Sequence, residues 1–244
     1  MPEGASVTDL SGLRRLSWGE AAQTAGYGFA TRSSGLGLPG LLFRAGQQTQ
    51  MTGVVDALGA ANPFVAGTLT AHFSNGSAAP RVLTSSFVAI PLSRRVPNLV
   101  LMARGLGLLT LAGVDLQGRQ RLSLEGGLDR SFTLYGARDA ERDDVEIFSP
   151  GVVEQLVATT GGCDVELVDD WMFVYGQPGR YRSGAALSLV EDAADLVRAT
   201  VARQAVSAPT PAGLATTWVA AGLAAALVLL IARWYIVDIV LPAL

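Results

Sequence analysis

The first residues to weigh are those able to do chemistry, and they are few. The chain has one histidine and one cysteine, and all 18 of its basic residues are arginine. Without lysine there is no P-loop lysine, no Schiff-base lysine and no Ser–Lys dyad. One His and one Cys cannot build a His/Cys metal cluster within a chain. His72 lies on the polar side of an alternating segment, and no G-x-S-x-G elbow presents a serine to it. It is therefore expected to be a solvated surface residue. Gly35, Gly37 and Gly40 match G-x-G-x-x-G, with Asp56 roughly where a ribose-binding acid would stand. The motif should open a long helix, yet Pro39 sits inside it and Gly46 follows closely, so dinucleotide binding is not expected.

Carboxylates are the remaining resource. Asp139, Glu141, Asp143, Asp144, Glu146, Glu154, Asp164, Glu166, Asp169 and Asp170 crowd one stretch, with Arg138 and Arg142 as its only bases. Such density could hold a divalent cation or an acid–base pair, although the spacing is not that of a calcium loop. Charge runs are usually solvated, so the expectation is a solvated loop and strand face. A milder role is an acidic docking surface for a basic partner at Asp139, Glu141, Asp143, Asp144 and Glu146. No cofactor is implied. Nucleic acid is not expected as a partner: net charge is −3, and only Arg14–Arg15 and Arg94–Arg95 are adjacent arginines.

The strongest pattern lies elsewhere. Residues 211–232, PAGLATTWVAAGLAAALVLLIA, carry no charge. At ~1.5 Å per residue this stretch spans about 33 Å, against a hydrocarbon core of roughly 30 Å. Its eight Leu, Ile and Val residues together favour insertion by about 2–5 kcal/mol. Trp218 stands near one end; Arg233, Trp234 and Tyr235 mark the other, as interfacial anchors do. Thr217, Ala221 and Ala225, and also Gly222 and Ala226, repeat at four-residue spacing and would let a second helix approach closely. Residues 1–30 show no apolar run like that of a secretory signal. A single-pass anchor over 212–237 is expected, with a short tail at 238–244 and the bulk of the chain on the cytoplasmic side of the cell membrane. The lone cysteine suits a reducing compartment.

The 203 residues that precede the proline-containing linker at 204–211 are long enough for a substantial core. Helices are expected near 17–26, where Ser17 and Glu20 have capping-box spacing; after Ser149–Pro150; and over 185–203. In the last, Ala186, Leu189, Val190, Ala193, Ala194, Val197 and Val201 form one stripe, expected to pack on its own domain. Period-two alternation marks strands near 27–31, 50–58, 64–73, 83–90, 98–103, 119–125, 131–136, 163–168 and 171–176. Cys163 shares a face with Val165 and Leu167 and should be a core thiol. Many strands with three scattered helices predict an α+β domain built on a largely antiparallel sheet, with 131–203 as a subdomain candidate.

Within 125–178, Glu125 and LDRSF at 128–132 lead into TLYGARD, IFSPGVVEQL and CDVELVDDWMFVYGQP. Together these resemble a family of membrane-associated, mainly actinobacterial proteins classed as a domain of unknown function. The resemblance implies no activity and no catalytic residue. Two readings follow. The first is a non-enzymatic membrane-anchored protein whose domain binds or stabilises a partner, as an accessory subunit of a membrane complex or a homo-oligomer. The second is a membrane-tethered metal-dependent hydrolase, or a ligand sensor, using the acidic 139–170 region.

Overall fold

The computed structural model describes residues 15–73, 81–93, 95, 98–104, 119–122, 132–137, 163–179, 183–188, 190, 191 and 194. Among the described residues nine strands form one sheet: β1 (Gly28–Ser33), β2 (Gln48–Asp56), β3 (Val65–Phe73), β4 (Arg81–Pro91), β5 (Leu99–Ala103), β6 (Arg119–Leu122), β7 (Phe132–Ala137), β8 (Asp164–Val168) and β9 (Trp171–Gly176). Their order is β1-β2-β3-β4-β9-β8-β5-β7-β6, and neighbours pair antiparallel. The architecture is α+β and mostly sheet, in line with the alternation. The helices among the described residues are α1 (Trp18–Thr24), α2 (Leu41–Ala45), and α3, which begins at 184 and is described at 184–188, 190, 191 and 194. Among the described residues no helix is long and apolar enough to cross a membrane. The expected anchor at 212–237 and the helix expected after Pro150 lie outside them.

α1 starts as the capping box predicts. The Glu20 amide donates to Ser17 Oγ (3.4 Å), and the Ser17 amide donates to Glu20 Oε2 (2.9 Å). Its chain then turns at Gly26, whose φ of +79° suits glycine. Trp18 is buried and donates its indole N–H to the Gly53 carbonyl at 2.7 Å. That carbonyl belongs to a β-bulge between Thr52 and Val55, where Gly53 has φ +57°. Across the ladder Gly67 lets the bulge close: a Cβ there would lie 3.2 Å from Thr52 O and Val54 Cα.

Both faces of the sheet are covered, which alternation within single strands does not show. On one face α1 and α3 place Trp18, Ala21, Ala22, Ala186, Leu187, Val190 and Ala194 against Val55, Ile90, Leu101, Val165 and Val174. Ala186, Val190 and Ala194 belong to the predicted stripe of α3, whereas the buried Leu187 was not assigned to it. A bridge between Ser17 and Ser183 ties the starts of α1 and α3 together. Cys163 lies in this core with Val165 and Leu167, as expected. On the other face the segment joining β1 to β2 crosses the sheet as a strap. It lays Leu38 and Leu42 on Val65, Phe87, Val100, Phe173 and Tyr175.

Candidate functional site

The interfacial and helix-packing residues nominated from the sequence (Thr217, Trp218, Ala221, Gly222, Ala225, Ala226, Arg233, Trp234 and Tyr235) lie outside the described residues. So do Asp139, Glu141, Asp143, Asp144 and Glu146. His72 is exposed near the end of β3, as alternation requires. The glycine motif joins two antiparallel strands and leads into a five-residue helix, so no βαβ unit surrounds it. Asp56 instead accepts from the Leu58 amide at 3.0 Å.

Two members of the acidic stretch overturn the solvated reading. Asp164 and Glu166 are fully buried. They alternate in β8 with Val165 and Leu167, so they face the strap side, which the strap and its neighbours cover. A carboxylate taken out of water needs donors. Asp164 Oδ1 accepts the Ala103 amide of β5 at 2.9 Å. Glu166 Oε2 accepts two donors: the Leu41 amide of the strap at 2.7 Å and the Tyr175 hydroxyl of β9 at 2.9 Å.

Around this node the alternation of β9 sets three aromatic rings in a row. Phe173 stacks on Tyr175 with centroids 5.9 Å apart and planes at 7°, and on Trp171 at 6.1 Å and 27°. Phe43, from α2, meets Phe87 edge-on at 5.0 Å and leans on Phe173 at 5.7 Å. Gly40 completes the fit, because a Cβ there would come within 2.5 Å of Tyr175 Oη. Sequence reasoning assigned no role to Glu166, Tyr175 and Gly40 as a group. The available signal was the alternation of Asp and Glu in β8 beside alternating aromatics in β9 of the same hairpin.

The chemistry of the node is structural. Burial first, and then the Glu166 carboxylate, push the Tyr175 hydroxyl well above its ordinary acidity range, so it stays a proton donor to Glu166. Tyr27, half-buried, behaves alike: burial first, then a 2.6 Å bond to Glu191 of α3, raises its pKa. Among the described residues no group of three His, Cys, Asp or Glu is placed to hold a metal ion. On the opposite face an open depression of about 500 Å³ is lined in part by Trp18, Glu20, Gln23 and Phe29. Ser17 hydrogen bonds hold the exposed Glu20 carboxyl below the usual range there.

These shifts have an alkaline signature. In the unfolded chain Tyr27 and Tyr175 ionise near pH 10, while the folded protein keeps both protonated. The folded state then binds more protons, so their contribution is intact below about pH 10 and declines above it. Phenolate absorbance of the native protein should show these two ionising only well above the pH at which free tyrosine does. The urea midpoint should fall more steeply above about pH 10 than in Tyr27→Phe. Simultaneous titration of every tyrosine in the folded protein would contradict the burial of both.

No family model matches the chain, and no curated protein matches it. In the solved structures it is similar to the crystal structure of the mycobacterial trehalose monomycolate transport factor A, TtfA, with a TM-score of 0.45 at 13% identity. The match covers 78% of this chain and 96% of that one, and a likeness this loose transfers no function.

Proposed function

We propose that this is a non-enzymatic, single-pass membrane protein whose α+β domain binds or stabilises a partner, as an accessory subunit of a membrane complex. The uncharged run 211–232, with Trp218 near one end and Trp234 just past the other, carries the reading. The small-residue rows through Ala221 and Gly222 supply a surface for a second transmembrane helix. Arg198 and Arg203 before the span, against Arg233 after it, support a cytoplasmic domain. Asp139, Glu141, Asp143, Asp144 and Glu146 offer an acidic surface to a basic partner. The hydrolase alternative loses two of its carboxylates, because Asp164 and Glu166 are engaged by a backbone amide and by a strap amide with a phenol.

Washing membranes with alkaline carbonate tests the anchor. The intact chain should stay in the pellet. Leu223→Arg with Leu229→Arg adds about 5–7 kcal/mol of insertion cost, more than the ~2–5 kcal/mol favouring insertion, and should release the protein. An intact chain that washes off without detergent overturns the proposal. Protease protection in sealed vesicles reads the sidedness, and a strictly monomeric protein in mild detergent would remove the accessory role.

A further inference from the structure

We infer that residues 34–46 form a hinged strap that opens from the sheet as a unit, and that the Glu166 carboxylate is the latch holding it shut. The inference stands apart from the membrane proposal. The strap begins loosely. Gly35 and Gly37 have φ of +84° and +63°, and nothing lies within 4 Å of where their Cβ atoms would be. Between them Leu36 is half-buried against the strap-side core, and packing tightens at Leu38, Gly40 and Leu42. The amides of Phe43 and Arg44 both close on the Gly40 carbonyl, so α2 is bonded within the strap itself. The strap is tied to the sheet by the Leu41 amide on Glu166 and rejoins the ladder where the Gln47 amide meets His72 O at 2.9 Å.

This division sets the motion. β3 is hydrogen-bonded to a strand on each side, so it opens only when the sheet does. The strap is held by apolar contacts and one carboxylate node, with a hinge of unpacked glycines at its start. Segments of that kind open locally, at free energies below global unfolding. Opening carries Phe43 off Phe87 and Phe173 and uncovers an aromatic recess with Glu166 and Tyr175 at its edge. The strap thereby gates access to that recess.

Hydrogen exchange of the full chain in mild detergent tests this. Amides of 34–46 should exchange well before those of β3, β4 and β9. A bond to a charged acceptor being stronger than a neutral one, Glu166→Gln should speed strap exchange ~10- to 100-fold and leave β3 and β4 unchanged. Tyr175→Phe, which keeps the ring, should give a smaller acceleration confined to the same segment. It also serves as the test should Glu166→Gln fail to fold. Strap and β9 amides exchanging together in the wild type, or a strap unaffected by these substitutions, would overturn the inference.

Discussion

Phe173→Ala is expected to lower stability by about 3–5 kcal/mol, the range for removing a large aromatic ring from a packed core. Phe173 is fully buried in β9, which is bonded to β4 on one side and β8 on the other. Its ring contacts Trp171, Tyr175 and Phe43, so truncation takes a shared partner from three neighbours. The row is fixed by β pairing on both sides and cannot slide to fill the gap. A cavity should persist and add to the lost transfer energy. The urea midpoint should fall with little change in slope. A loss under about 1 kcal/mol would mean that the strap relaxes into the space.

Gly40→Val is the second large effect, and its cause is space rather than backbone conformation. Gly40 has φ −61° and ψ 151°, which any residue adopts. A Cβ would nonetheless lie 2.5 Å from Tyr175 Oη and 3.0 Å from both Phe173 Cε1 and Phe43 Cδ2. The hydroxyl cannot easily yield, because it is bonded to buried Glu166. Overpacking costs about 1–3 kcal/mol, and valine's branch should push to the top of that range, with alanine lower. The contrast is Gly35→Ala, where nothing is near and only the left-handed backbone is strained, at about 1–2 kcal/mol. Because the tightest clash is with an oxygen, Tyr175→Phe should recover part of the loss in Gly40→Ala. A double-mutant cycle reads that coupling directly. Strict additivity would show that the clash lies with the other rings.

Period-two alternation placed β9 at its observed ends, and β8, β5 and β3 within one residue at either end. The Ser17–Glu20 spacing found the start of α1. These features are local, and their residues announce them. α2 was missed because five residues between two glycines hold too few turns to show a period. The burial of Asp164 and Glu166 was missed for a different reason. Alternation says which residues share a face, not what covers it, and the Leu41 amide that meets Glu166 is 125 residues away in sequence. The glycines at 35, 37 and 40 match a dinucleotide-binding motif in spacing alone. Their spacing instead serves two left-handed positions and one close approach.

The order in which strands become available during synthesis follows from the sheet's connectivity. β1 to β4 are sequential neighbours, so the first half can assemble as a simple meander while the ribosome is still working. β4, however, waits for β9 on its free side, and β9 begins 80 residues after Pro91, at Trp171. At about 5–20 residues per second that interval lasts roughly 4–16 s. Throughout it, Phe87, Val88, Ala89 and Ile90 sit on an unpaired edge rich in apolar side chains. An edge of this kind recruits other strands, so this nascent chain has a timed need for shielding that the finished molecule no longer has.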